Sequence, residues 1–215
     1  ENPLPVDKIS RLNIDMMFNV CERINDSSLL EPHGAAFMDI LQIPYTGSNP
    51  LTLAFCMDKI KVKKLLTYHH IPTARFDVVY TMKDEVDDTL RYPLIVKPAN
   101  TDNSLGITNR SVVSDKQELK RQLEEVVVRA KRPALVEEYI EGDEYDVSII
   151  GNGDDLQVLP LSRSTFDKMP KGYWHIYPFE SKFGNNPVYD SIRLEQPAKI
   201  PKKLDKLITE ISVDT

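Results

Sequence analysis

The sequence predicts a mixed α/β (α+β) fold. Amphipathic stretches with helical spacing alternate with short apolar runs of strand length. Hydrophobic residues make up 41% of the 215, enough for a real core. Turn chemistry separates the runs, and no internal repeat or low-complexity tract interrupts them.

Taken in order, Ile14–Val20 (IDMMFNV) is an apolar run expected to form a buried strand, and Glu22–Glu31 a polar loop. Pro32–Leu41 carries apolar residues at helical spacing. Ile43–Pro50 (IPYTGSNP) is a short strand running into a turn. Asn49 before Pro50 is a helix start: a side-chain cap, then a proline whose missing N–H costs nothing at the first position. Asp58–Tyr68 sets Ile60, Val62, Leu65 and Leu66 against four lysines and stops before Pro72. Phe76–Tyr80 and Leu94–Val96 read as strands. Ser114 with Gln117 is a capping-box pattern that opens a helix through Ala130. Pro133–Ile140, Tyr145–Ile150 and Leu156–Leu161 are further strands, the last two joined by GNGDD with hairpin chemistry. Ser162–Pro197 is long for a structureless connection. Lys202–Ile211 begins another amphipathic helix.

The formal net charge of −6 argues against a nucleic-acid or membrane-surface partner, though local lysines can still bind an anion. The two cysteines, Cys21 and Cys56, lack metal-ligand spacing and are expected to be reduced and buried, as in a cytoplasmic protein. No apolar run reaches membrane-spanning length. His69 and His70 belong to a helix end, His33 and His175 have no ligand-like neighbours in sequence, and Trp174 reads as a packing residue. No metal-ligand set is identified.

Four stretches can carry chemistry. In LIVKPANTDNSLGI, Lys97 follows a strand, and the loop from Asn100 to Gly106 offers amides, a hydroxyl and backbone N–H groups. That is a sensible phosphate clamp; it is equally the pattern of a solvated lysine before a hairpin turn. It is not a Walker loop. In ALVEEYIEGDEYDV, alternation along a strand points Glu137 and Glu138 to opposite faces. One side can meet a ligand, the following backbone can pair with a heterocycle, and Glu144 can accept from sugar hydroxyls; the alternative is a solvated acidic turn. In CMDKIKVKK, Lys59 is a second phosphate candidate or one more surface lysine. In YPFESKFG, Lys182 sits in an aromatic segment, where it can meet a phosphate or lie along the surface.

The order of these stretches is more telling than any one of them. IPYTGSNPLTLAFCMDKIKVKKLL, HHIPTARF, YPLIVKPANTDNSLGI and ALVEEYIEGDEYDVSIIGN, in this succession, resemble the ATP-grasp superfamily, and within it the D-alanine–D-alanine ligases. The resemblance runs from Asn19 to Gly184. It implies a partial N-terminal α/β (preATP-grasp) domain at 1–50, a small central ATP-grasp subdomain at 51–140 and an incomplete C-terminal one at 141–215. It also implies an ATP-dependent carboxylate–amine ligase acting through an acyl-phosphate.

The resemblance assigns Lys59 and Lys97 to the α- and β-phosphates, and Asn103, Ser104 and Gly106 to a phosphate-covering loop. Glu137 takes the adenine amino group. Glu138 and Ile140 supply backbone beside the ring, Tyr139 lines it, Glu144 meets the ribose, and Lys182 approaches the transferred phosphate as the catalytic lysine. Magnesium is implied, with ligands expected beyond the C-terminal end of this chain. The partners implied are ATP and an amino acid or small peptide, in the cytoplasm, with a homodimer among the allowed assemblies. The region FNVCERINDSSLLEPHGAAF departs from the His-Gly…Gly-Glu-Asp-Gly stretch that holds the first amino acid in D-alanine–D-alanine ligases, and Phe183 replaces a tyrosine. The amino-acid substrate therefore stays open. A ligase for another amino acid or peptide, or a non-catalytic nucleotide-binding module, are the alternatives.

Overall fold

The computed structural model describes residues 6–182 and 188–215. The chain divides into two compact units: residues up to Lys63 with Ala99–Asn103, and Lys64–Pro98 with Ser104–Thr215.

The first unit is helical. A short α1 (Val6–Ile9) precedes extended chain, and α2 (Glu31–Ile40) follows a 3-10 turn at Ser28–Leu30. Then come α3 (Pro50–Cys56) and the start of α4 (Lys59–Tyr68), the helix that runs through the boundary. The cap at α3 forms as the sequence predicts: Asn49 Oδ1 accepts the Thr52 N–H at 2.9 Å, and Pro50 opens the helix. Ala35 and Met38 of α2, with Met57, Ile60 and Ala99 farther along, are among the buried apolar residues of this unit.

Two expectations need correction here. Ile14–Val20 is not a buried strand. It makes one parallel bridge, Met17 with Tyr45, and leaves Met16, Phe18 and Val20 at 60%, 77% and 74% exposure. The apolar residues alternate as in a strand, but among the described residues nothing covers that face. Cys56 is exposed rather than buried and Cys21 is only half-buried; both are free thiols. Helical spacing puts Cys56 on a face of α3 that its sequence alone does not identify.

The second unit is built on a four-stranded antiparallel sheet, with β1 (Phe76–Val79), β2 (Leu94–Pro98), β3 (Val112–Val113) and β4 (Ala134–Glu138) ordered β1-β4-β2-β3. Register places Ile95 opposite Glu137 and Lys97 opposite Leu135. Opposed residues share a face, so the sheet has two distinct sides. Leu94, Val96, Ala134 and Val136 point to one side and pack with Val79, Val113 and the buried residues Leu119, Leu123 and Val126. The first two of these lie on α5 (Lys116–Leu123) and the third on the π-helical turn Glu124–Arg129 that continues it. This is the main core. On the other side Ile95 joins Ile107, Val112 and Ile176, with Tyr139 and Trp174 against them. That second side carries Lys97 and Glu137.

The cap of α5 falls one residue later than the sequence suggests. Asp115, not Ser114, accepts the Glu118 N–H at 2.8 Å, and Glu118 reaches back to the Ser114 N–H at 2.8 Å. The reciprocal bond thus reaches the residue before the cap and not Asp115 itself, a variant of the predicted box.

The predicted strand Tyr145–Ile150 is two strands. β5 (Glu144–Asp146) pairs with β8 (Ser162–Thr165) and β9 (Arg193–Glu195) in a three-stranded sheet ordered β5-β8-β9. β6 (Ile149–Ile150) pairs with β7 (Gln157–Val158) across the GNGDD turn, as hairpin chemistry predicts. The long connection after Ser162 therefore holds structure of its own. The chain ends with α6 (Lys202–Asp214), none of whose residues is buried.

Gly151 opens the β6–β7 turn at φ +98°, and a Cβ there would lie 2.1 Å from the Asp155 carbonyl oxygen. Gly151→Ala should therefore destabilise the chain by about 1–3 kcal/mol, through backbone strain and forced displacement. Urea denaturation measures this; an unchanged midpoint would show that the turn opens freely.

Candidate nucleotide site

Lys97 and Glu137 form an ion pair on the second side of the four-stranded sheet. They sit diagonally across β2 and β4, two residues apart in register and so on one face. The Glu137 residue is 7% exposed, so its charge depends on the partner beside it. Glu138, next in β4, points to the opposite side as alternation requires. There it accepts the Arg91 N–H at 3.0 Å and lies 3.6 Å from the Arg75 guanidinium. Its side chain is tied down away from Lys97, which leaves only its backbone to the second side.

Tyr139 leaves β4 with its N–H donated to the Pro93 carbonyl at 3.0 Å. Its ring meets Trp174 edge-on with centroids 5.2 Å apart. Its hydroxyl accepts the His175 N–H at 3.1 Å and donates to Glu141 at 2.9 Å. Burial first, and then the bond to Glu141, push this phenol well above the ordinary tyrosine range. Ile140 follows at 71% exposure.

Glu144 begins β5. Its carboxyl pKa is raised, chiefly by desolvation, with Asp146 adding to the rise and Lys97 opposing it. The charge of Glu144 in turn raises Tyr139 and Tyr177. Lys97, Glu137, Tyr139 and Glu144 thus share one electrostatic neighbourhood, with an apolar floor of Ile95, Ile107, Val112 and Ile176.

The loop after β2 is shaped by backbone conformation. Asn103 and Ser104 both have positive φ, 52° and 56°, and Gly106 has φ 81°. A Cβ at Gly106 would meet the Pro98 ring at 2.9 Å. Glycine is what lets this loop turn back over the strand end. The Ile107 N–H closes the turn on the Ser104 carbonyl at 2.9 Å.

Lys59 belongs to the first unit, where its ammonium donates to the Thr101 carbonyl and its N–H to the Ala99 carbonyl at 2.9 Å. Lys182 ends a 3-10 turn, Phe179–Lys182, and is exposed. Among the described residues no hydrogen bond or ion pair joins it to Lys97 or Glu144. Phe183 and Gly184 lie outside the described residues. Sequence reasoning missed Asn109, Glu141 and His175, which link the loop after β2 and the end of β4 to the segment 172–176. Their partners are 34 to 65 residues away, and no local pattern announces such pairs. Among the described residues no group of three or more His, Cys, Asp or Glu can hold a metal ion.

The mixed helix-and-sheet architecture and the comparisons that follow place this chain in the ATP-grasp class. The family model described as D-ala D-ala ligase C-terminus matches residues 65–215, and the chain belongs to that family. It is 31% identical over 217 residues to an uncharacterized protein of Sinorhizobium fredii, covering all of this chain and 60% of the relative. It is 37% identical over 161 residues to the D-alanine–D-alanine ligase of Ralstonia nicotianae, covering 74% of this chain and 44% of that one. The crystal structure of VanG D-Ala:D-Ser ligase from Enterococcus faecalis is similar with TM-score 0.71 at 26% identity, over 94% of this chain and 55% of that one. D-alanine–D-alanine ligase from Bacillus anthracis complexed with ATP is similar with TM-score 0.65 at 26% identity, over 96% and 60%. The chain thus spans about half the length of these relatives.

A raised carboxyl pKa in the folded state favours the protonated form on folding. The stability Glu144 contributes is present in acid and is lost as pH rises through its folded-state pKa. Glu144 is an exposed residue, so solvent screens the effect; Glu144→Gln should melt slightly higher than the parent at pH 7, and the two should converge below the ordinary carboxylate range. Thermal unfolding at pH 7 and pH 3.5 decides it; a variant that melts lower at pH 7 would contradict the assignment of desolvation as the dominant effect.

Proposed function

We propose that this chain carries the nucleotide site of an ATP-dependent carboxylate–amine ligase of D-alanine–D-alanine ligase type. The observation that carries the reading is the placement of Lys97 beside Glu137 on a sheet face floored by apolar side chains and flanked by Tyr139. A cation for phosphate, a carboxylate for an exocyclic amine and an apolar slot for a flat ring are the three needs of an adenine nucleotide.

In this reading Glu137 accepts from the base, Tyr139 lines the ring, and the backbone at Glu138 and Ile140 runs along its edge. Glu144 accepts from the ribose hydroxyls. Lys97 neutralises phosphate charge, while Asn103, Ser104 and Gly106 offer donors over it. From the resemblance alone, Lys59 is given the same phosphate chemistry and Lys182 the approach to the transferred group. Phosphoryl transfer asks mainly for position and charge neutralisation, which lysines and backbone donors supply. ATP would supply the phosphoryl group that activates a carboxylate. A carboxylate oxygen would bond to the terminal phosphorus as ADP leaves; the amine nitrogen would then bond to the acyl carbon, lose a proton and release phosphate. Among the described residues no group of three or more His, Cys, Asp or Glu is placed to hold a metal ion, and no step is assigned to a metal held here.

The three-part division at 1–50, 51–140 and 141–215 goes with this reading, as does a cytoplasmic place; no helix among the described residues is long and apolar enough to cross a membrane. The relatives include ligases named for D-alanine with D-alanine and for D-alanine with D-serine, so the second amino acid is an open variable of the proposal.

Lys97→Met should weaken ATP binding at least about tenfold, the loss expected for a charge-assisted phosphate contact. Calorimetric titration measures it, with a melt to confirm folding because Glu137 loses its cation. Glu144→Ala should narrow the preference for ATP over 2′-deoxy-ATP. Unchanged affinity in a folded Lys97→Met variant would remove the clamp. Phosphate release by the full-length protein with D-alanine, D-serine or other amino acids then identifies the substrate.

A further inference from the structure

Asn109 does something the family resemblance does not assign. It opens a 3-10 turn, Asn109–Ser111, that is unusually well fixed. The Thr108 hydroxyl accepts the Arg110 N–H at 3.2 Å and the Ser111 hydroxyl accepts the Thr108 N–H at 3.0 Å. Ser111 is fully buried, and Gln122 of α5 donates to its hydroxyl at 3.4 Å. From this mount the Asn109 carboxamide reaches a segment more than sixty residues away. Its Nδ2 donates to the Gly172 carbonyl at 3.0 Å, and its Oδ1 accepts the Trp174 N–H at 2.7 Å. Only a primary amide has a donor and an acceptor on one short fork, and the reversed orientation would set both against like groups.

The segment so held is an aromatic strap. Trp174 packs on Tyr139, and Ile176 enters the apolar floor beside Ile95 and Ile107. The His175 N–H reaches the Tyr139 hydroxyl, its imidazole meets Glu141, and its ring stacks on Phe166 with centroids 5.7 Å apart. Just beyond, the Phe179 N–H donates to the Ile107 carbonyl at 2.9 Å and starts the turn that carries Lys182. The loop after β2 therefore grips the strap at three points, two of them on one side chain.

We propose that Asn109 is a positioning residue of the nucleotide site, acting through Trp174 on Tyr139. It rests on the nucleotide reading above. Tyr139 is the ring-lining residue of that reading, and its outer face is set by where Trp174 stands. Without the Asn109 fork the strap loses its anchors at the Gly172 carbonyl and the Trp174 N–H, the backbone bond of His175 to the Tyr139 hydroxyl remains, and the wall behind the base slackens. The consequence falls on the base and not on the phosphates. Adenosine and ATP should lose affinity by the same factor, whereas a lost phosphate contact would weaken ATP and spare adenosine.

Trp174 is the single tryptophan of the chain, so its emission reports the strap directly. The test titrates adenosine and ATP into the 215-residue chain and its Asn109→Ala and Asn109→Asp variants, following Trp174 emission, with far-UV circular dichroism as the folding control. Asn109→Ala should shift the emission to the red, increase its quenching by acrylamide, and weaken adenosine and ATP alike by roughly three- to tenfold, the scale of one or two lost hydrogen bonds. Asn109→Asp keeps the acceptor for the Trp174 N–H and should stay closer to the parent in emission. A folded Asn109→Ala variant that binds both ligands as the parent does overturns the proposal, whether or not its emission moves. So does a loss confined to ATP. If the parent binds neither ligand, the nucleotide reading itself falls and this proposal with it, an outcome distinct from the other two.

Discussion

The ion pair between Lys97 and Glu137 is the constraint around which the second unit is arranged. A buried carboxylate with a cation beside it is expensive to desolvate, and the pair recovers that cost only if both groups are held in place. Here β2 and β4 hold them, adjacent and antiparallel, two residues apart in register. The same two strands present Leu94, Val96, Ala134 and Val136 to the opposite side, where α5 seals them. Covering one side of the sheet with a helix makes it rigid enough to carry charge on the other.

The charged side is not left to solvent. Its floor is apolar, and its flank is made of aromatic rings fixed by hydrogen bonds: Tyr139 to His175 and Glu141, and Trp174 to Asn109. A low local dielectric lengthens the reach of each charge. That is why Glu144, in a different sheet from Lys97, feels it, and why Tyr139 and Tyr177 feel Glu144. The neighbourhood is electrostatically coupled before any ligand enters.

What the sequence discloses follows from how local each cause is. The Asn49–Pro50 start, the GNGDD hairpin and the opposite facing of Glu137 and Glu138 depend on neighbours in the chain, and each forms as its pattern predicts. The strand Ile14–Val20 fails because alternation specifies a face without specifying what covers it. Cys56 fails for a related reason: a small apolar side chain on a short helix is compatible with either face. The cap of α5 is displaced by one residue because Ser114 and Asp115 are comparable caps and local sequence does not choose between them. At the site, Lys97 and Glu137 are forty residues apart, and their pairing follows only from the β2–β4 register. Motif order made them candidates; register alone makes them partners. Asn109 had no local signal at all, since an asparagine before a 3-10 turn looks the same whether its amide meets water or a distant backbone.

The pairing of Lys97 with Glu137 also bears on how such a site can accept a ligand. Lysine is a donor with one charge, and Glu137 is an acceptor with little exposed surface. The two charges lie against each other, so neither is an uncompensated buried charge. A molecule that brings an anionic group to Lys97 and a donor to Glu137 can replace the pair without stranding either member. A molecule that brings only one of the two leaves the second charge dependent on its old partner. A simple phosphate gains from Lys97 but competes with Glu137 for it, and an amine-bearing ring gains from Glu137 but competes with Lys97. On the proposed function, the ion pair would favour ligands carrying both groups on one frame. The apolar floor beneath it selects further for a frame that is flat.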